Sequence, residues 1–322
     1  MRRPFFACTS LLFVGFTLLN AQSGDRSAAL DGQPAQFKSG VDLVALDVCV
    51  KNRDGHPTKG LKPEDFLILE NDVPQRIALF SVAGRVPLAV VLLIDNSRSM
   101  FGEALDRAKV AGARFIDILR PDDLVEVLSF NDRANLRHRL GADHEQAKVS
   151  MSDISAAGGT RLYEAVLVAL NDIERARHIR KIEYRDVIIV LSDGEDTHSR
   201  LPFDDVLEAA RRSGVLVYTI SLRTGHRGQT DAPLWQMALL AHDTGGRAVA
   251  IHDLADLTQT YEDINTELVN LYRIGYEPSP PMRDGSWRTI SIRVPSATLV
   301  VRSRSGYYAP RVISATSRRP RY

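Results

Sequence analysis

The sequence predicts an α/β fold, a doubly wound, mostly parallel sheet flanked by a small β-sandwich built from strands at both ends of the chain. Two observations carry this. From Val86 to Ile94 nine apolar residues run without a charge, as expected of a parallel strand buried on both faces. From there to about Asn270 strand-like and helix-like segments alternate, whereas the residues before Val86 and after Leu271 read only as strands and turns.

Taken in order, "MRRPFFACTSLLFVGFTLLNAQSGDR" opens with Arg2 and Arg3, continues apolar to Leu19 and ends in small or polar residues. That is the pattern of a secretory signal over 1–21, cut after Ala21, with an uncleaved anchor as the alternative. No later segment is long and apolar enough to span a membrane. Cys8 precedes the apolar run, which argues against a lipid-modified start, and its removal would leave Cys49 alone. The mature chain then forms no internal disulfide, and Cys49 reads as a small buried hydrophobe. Residues 22–39 are polar and aperiodic, hence a disordered linker, and the tail 312–322 reads likewise.

An N-terminal β region is expected over 40–85. "VDLVALDVCV" alternates, Asp54-Gly55 and Pro57 supply a turn, and strands near Phe66–Glu70 and Gln75–Val82 flank a turn at Asn71-Asp72. The α/β part, 86–270, starts with the apolar strand. A helix follows through Leu105, Ala108, Gly112, Phe115 and Leu119 until Pro121, then the strand "DLVEVLSF" and an edge strand "ANLRHRL". Helices are expected over His144–Ser155 and Leu162–Arg177, and a strand over Asp186–Asp193. Next come a helix over Asp204–Arg212 capped by Gly214, a strand Val215–Leu222, and a helix near Leu234–His242. A strand at Arg247–Ile251 and a helix over Leu254–Asn270 end the series. A C-terminal β region, 271–311, is too small to bury a face by itself and is expected to pack with 40–85.

With 44% hydrophobic and 25% charged residues in 322, the chain can bury a large core. Lys plus Arg (41) nearly balance Asp plus Glu (40), a net charge of +1 that gives no global field for nucleic acid. Oligomeric state is not legible.

The functional signal sits where strands end. The apolar strand exits into "DNSRSM", placing Asp95, Ser97 and Ser99 on the loop into a helix. "AAGGTRLYEAV" puts Gly158 and Gly159 before Thr160 at another helix start, and "VIIVLSDGEDTHS" ends its strand on Asp193. Ligands of doubly wound sheets gather at such carboxyl edges. Two carboxylates and three hydroxyls, with no sulfur or imidazole, suit a hard cation. Phosphate binding is disfavoured, since no G-x-x-x-x-G-K-[ST] is present. Ser97 lacks a G-x-S-x-G frame, and an aspartyl-phosphate enzyme would carry an acid where Ser97 stands. His198 reads as a solvated loop residue, and Trp235, Trp287, Tyr307 and Tyr308 as packing aromatics.

"DNSRSM", "GGTRLYEA" and "LSDGEDTHS", in this order, resemble the metal-ion-dependent adhesion site (MIDAS) of von Willebrand factor type A domains, a Rossmann-like fold. The resemblance covers about Val86–Asn270. It assigns Asp95, Ser97 and Ser99 to the first loop of the site, Thr160 to the second and Asp193 to the third. It departs at Arg98, where glycine is frequent between the two serines. More loosely, "GLKPEDFLILENDVPQRIALFS", "TGGRAV", "YRIGYEP" and "SRSGYYAP" resemble secreted bacterial proteins abundant in acidobacteria.

The N-terminal signal predicts a secreted, periplasmic or cell-surface protein, and the resemblance implies a non-enzymatic adhesion-type module. Its Mg²⁺, or Mn²⁺ or Ca²⁺, would take an Asp or Glu from a protein partner. A metal-dependent hydrolase and a structural envelope protein with an inert site are the alternatives.

Overall fold

In the computed structural model, residues 43–82, 86–193, 196, 198–222, 232–281 and 283–311 are described. They belong to one unit, Asp42–Tyr322. The signal (1–21), the linker (22–39) and the tail (312–322) lie outside the described residues.

Four strands come first: β1 (Val44–Asn52), β2 (Leu67–Glu70), β3 (Val73–Gln75) and β4 (Ile77–Val82). The alternating part runs β5 (Leu88–Asp95), α1 (Glu103–Asp117), β6 (Leu124–Phe130), β7 (Ala134–Gly141), α2 (His144–Ser152) and α3 (Leu162–Arg177). It continues with β8 (Arg185–Ser192), α4 (Phe203–Ser213), β9 (Leu216–Leu222), α5 (Ala232–Thr244), β10 (Ala248–Ile251) and α6 (Leu257–Leu268). The last strands are β11 (Tyr272–Tyr276), β12 (Trp287–Arg293), β13 (Leu299–Arg302) and β14 (Gly306–Tyr308).

The central sheet has the order β10-β9-β8-β5-β6-β7, parallel except for the edge strand β7. The apolar run becomes β5, a strand with parallel neighbours on both sides, and all eight of its residues are buried. Val90, Leu92 and Ile94 pack with α1 and α6; Val91 and Leu93 pack on the other face with α3 and α4. Burial of each such side chain is worth about 1.5–3 kcal/mol, so this strand anchors both layers. Gly214 ends α4 in the left-handed conformation at φ 66°, as its sequence position predicts.

The flanking strands form two antiparallel sheets, β13-β1-β11-β4 and β14-β12-β2-β3. They share one core of Leu46, Val48, Phe66, Ile68, Tyr272 and Ile274, so the N- and C-terminal strands do build a small sandwich.

Several expectations are corrected. The strand predicted over Gln75–Val82 starts at Ile77 as β4, while Gln75 ends a separate strand, β3, in the other sheet. Asn71 and Asp72, at φ 48° and 64°, turn β2 back onto β3, and the chain changes sheets after Gln75. The helix expected from Leu254 to Asn270 begins as a 3-10 turn over Leu254–Asp256, capped by the Asp253 side chain, before α6. The helix expected to Ser155 stops at Ser152. Trp235 is not a core residue: it is 61% exposed, with one face toward Phe203 at 6.4 Å between ring centroids. Cys49 is buried, and burial raises its thiol pKa. Among the described residues no helix is long and apolar enough to cross a membrane.

Candidate functional site

β5 and β8 are register neighbours, Ile94 beside Leu191, so Asp95 and Ser192 leave the sheet side by side. Asp95 is fully buried. Its Oδ1 accepts a hydrogen bond from the Ser97 amide (2.8 Å) and its Oδ2 one from the Ser192 hydroxyl (2.6 Å). Burial nevertheless pushes its pKa up to about 6, against the hydrogen bonds that lower it, and the nearby Asp193 carboxylate adds to the rise. Ser97 caps a 3-10 turn over Arg98–Met100, and its hydroxyl lies 3.0 Å from that of Ser99. Ser97 is buried, whereas Ser99 is exposed, so the hydroxyl pair runs from the interior to the surface.

The second loop is sewn to the first. Arg98 N donates to Gly158 O (3.1 Å), Ala157 N to Asn96 O (2.9 Å), and the Asn96 amide group to Ser155 O (2.7 Å). Gly158 takes φ 75°, which an L side chain tolerates poorly, and a Cβ there would also meet the Asp132 carboxylate at 2.4 Å. That carboxylate accepts from Gly159 N at 3.0 Å. Glycine is therefore required where the sequence has its pair. Thr160 follows, 3% exposed, at the start of α3.

The third loop closes onto the second. His198 N donates to Thr160 O (3.0 Å), Leu162 N to Asp196 Oδ1 (3.2 Å) and Tyr163 N to Ser199 Oγ (3.2 Å). Asp196 and Ser199 thus satisfy the open amides of α3. The His198 ring lies against Gly159, where a Cβ would come within 2.3 Å of Nδ1. Asp193 completes the set, with a buried Oδ1 that has no hydrogen-bond partner among the described residues.

The loops that carry Asp95, Ser97, Ser99, Thr160 and Asp193 are therefore bonded into one cluster at the carboxyl edge. Sequence reasoning missed three supporting residues, Ser192, Asn96 and Asp132. Their signal was position: Ser192 precedes Asp193, Asn96 follows Asp95, and Asp132 lies in the turn just past β6, the strand next to β5. Among the described residues no group of three or more His, Cys, Asp or Glu could hold a metal, so any ion here depends on hydroxyl donors beside two carboxylates.

A buried carboxylate oxygen with no donor, beside a second buried carboxylate, is costly unless a cation or proton lies between them. The donor set thus fits a hard divalent ion. A mostly parallel doubly wound sheet with these three loops defines a class, and comparison with known proteins names it. The von Willebrand factor type A domain model matches residues 89–263, more than half the chain, and the protein belongs to that family.

Among curated relatives, inter-alpha-trypsin inhibitor heavy chain H4 of Sus scrofa is 27% identical over 72% of this chain and 26% of its own length. The chain therefore spans about a quarter of that relative. An uncharacterised protein of Synechocystis, sll0103, is 32% identical over 35% of this chain and 27% of its own length. Among solved structures, a von Willebrand factor type A protein from Catenulispora acidiphila aligns with a TM-score of 0.51 at 14% identity. It covers 85% of this chain and 76% of that one, and this likeness speaks to fold alone.

Proposed function

We propose that the protein is an extracytoplasmic binding module, without turnover, in which Asp95, Ser97, Ser99, Thr160 and Asp193 hold a divalent cation and a protein partner completes the site with an Asp or Glu. The buried, unpartnered Asp193 Oδ1 beside buried Asp95 carries this reading. When bound, the ion supplies an electrophilic position that accepts an outside carboxylate oxygen. The chain's own residues do the rest. Ser192 and the Ser97 amide orient Asp95, the paired hydroxyls of Ser97 and Ser99 lead from the interior to solvent, and Asp132 fixes the glycine pair before Thr160. Two carboxylates only balance a divalent charge, and neutral hydroxyls leave affinity for a further anion. Mg²⁺ is the first choice, with Mn²⁺ and Ca²⁺ as alternatives, because all the donors are oxygen. The extracytoplasmic placement rests on the N-terminal sequence pattern.

Calorimetric titration with Mg²⁺ and Mn²⁺ tests the site: saturable binding is expected, lost in Asp95→Ala at unchanged fold. Binding that survives this substitution, or none in the parent chain, refutes it. A second reading has one supporting observation, the imidazole of His198 held against the loop of Thr160. Metal-dependent hydrolysis would use it as a base. Turnover of ester or phosphoester substrates with Mn²⁺, abolished in His198→Ala, would favour this alternative.

A further inference from the structure

The rim of the site is asymmetric in charge. Arg98 stands on the first loop, Arg133 on the turn after β6 and Arg200 on the third loop, and all three are exposed. Each is tied to the cluster through its own backbone or its neighbour's side chain: Arg98 N donates to Gly158 O (3.1 Å), the carboxylate of Asp132 beside Arg133 accepts from Gly159 N, and Arg200 N donates to Glu164 Oε1 (2.7 Å). Among the described residues none of the three guanidiniums has an ion-pair partner, whereas Arg177, Arg180, Arg185 and Arg273 elsewhere are all paired.

The rim acids are engaged differently. Asp132 accepts from Gly159 N (3.0 Å), Asp196 from Leu162 N (3.2 Å) and Ser199 N (3.3 Å), and Glu164 from Arg200 N. Backbone amides, those at the positive end of α3 included, engage these carboxylates and hold them to the loops. The three guanidiniums are exposed and have no ion-pair partner among the described residues. Phe101, one residue beyond the buried Met100, adds an apolar surface that is 80% exposed.

From charge complementarity we infer that the partner is a protein segment whose metal-ligating carboxylate lies within a cluster of further acidic residues, beside an apolar side chain that covers Phe101. This rests on the metal-dependent binding proposed above. Three cations on separate loops around one centre match several carboxylates better than one. They speed encounter and fix orientation, while the apolar contact slows release.

The test uses the full chain and three immobilised ligands: a Leu-Asp-Glu-Asp-Glu-Leu peptide, a Leu-Asp-Ser-Gly-Ser-Leu peptide, and an oligothymidylate. In Mg²⁺ at low salt the acidic peptide is expected to bind about tenfold tighter than the single-carboxylate peptide, an advantage that shrinks as salt screens the rim. The triple variant Arg98→Ser, Arg133→Ser, Arg200→Ser is expected to lose that advantage while keeping the parent's Mg²⁺ titration. Phe101→Ser is expected to speed dissociation of both peptides. Equal affinity or equal absence of binding for the two peptides overturns the proposal. So does a preference that survives the triple variant, or oligothymidylate binding as tight as the acidic peptide. Chelator separates the two claims: if it leaves the acidic preference intact, the metal reading falls and the rim assignment stands.

Discussion

The two edges of the central sheet treat charge in opposite ways. At the amino edge, where the sandwich packs, carboxylates and guanidiniums are mostly matched, Arg304 with its Nη2 on Ala45 O being the exception. Arg185 Nε donates to Asp47 Oδ1 (2.9 Å) and its Nη1 to Leu268 O (2.9 Å), and Arg273 pairs with Asp47 (2.8 Å) and Glu183. Glu267, fully buried, meets Lys51 (2.7 Å), Arg302 and the Tyr218 hydroxyl (2.6 Å). A cavity of about 350 Å³ here is lined by Asp47, Arg177, Arg180, Glu183, Asp186 and Arg273, whose charges pair with one another. At the carboxyl edge Asp193 lies near enough to Asp95 to raise its pKa and keeps one oxygen unpartnered among the described residues, and the rim cations stand open. One edge is closed on itself and holds the sandwich to the sheet. The other is left incomplete, which is what a site that takes ligands from outside requires.

Removing a carboxylate should therefore destabilise at one edge and not at the other. Glu267→Ala leaves Lys51 and Arg302 desolvated without their counter-charge, so a loss of about 3–5 kcal/mol in urea unfolding is expected. A change below about 1 kcal/mol would mean that water already screens this pair.

Between the edges lies a buried carboxylate of a third kind. Glu126 on β6 accepts from Leu140 N (3.2 Å), and burial, then the Asp172 carboxylate, push its pKa up to about 7 from the ordinary 4.5. Because the folded state holds this proton more tightly than the unfolded chain, its stabilising contribution is complete below about pH 4.5. It is lost as pH rises through 7, at up to about 1.4 kcal/mol per pH unit. Unfolding free energies of parent and Glu126→Gln, measured from pH 4.5 to 8, should diverge with that slope up to about pH 7 and run level above it. Parallel curves would place the proton elsewhere.

At the carboxyl edge the sign reverses. Asp193→Asn removes the like charge that raises the Asp95 pKa and gives the open oxygen's place to a group that can donate. In chelator the variant is expected to melt no lower than the parent, with a gain of up to about 1 kcal/mol. Added Mg²⁺ should stabilise only the parent. A variant less stable in chelator would make Asp193 a structural residue and erase the contrast between the edges.

How far the sequence reached follows the same division. β5 was legible because a strand flanked on both sides within a parallel sheet must be apolar throughout, and Asp95, Ser97 and Ser99 because polar side chains cannot follow such a run unnoticed. Thr160 was legible at a helix start behind a glycine pair, and Asp193 at the end of a strand. The supporting contacts were not. Ser192 reaching Asp95 and Asp132 holding Gly159 depend on which strands are neighbours, and that order is set by long-range pairing that no local pattern encodes. The change of sheet after Gln75 was hidden for the same reason, since residues on both sides of it read as one strand. Trp235 misled because size suggested burial, whereas its position near the start of α5 leaves most of it in solvent.

The smallest effect concerns how the sandwich is held beside α4. Arg212 stacks over the Tyr308 ring at 3.7 Å, and Arg211 over Trp287 at 5.2 Å, while Asp243 binds both Arg211 and Ser305. Arg212 is half exposed and also pairs with Glu208 one turn away, so its contact is partly solvated. Arg212→Ala is expected to cost about 0.5–1 kcal/mol. Arg212→Lys should lose less than alanine, since an ammonium keeps the charge over the ring but not the planar stacking. A loss as large as that of Glu267→Ala would mean that the aromatic clamp, and not the buried ion pairs, holds the sandwich to the sheet.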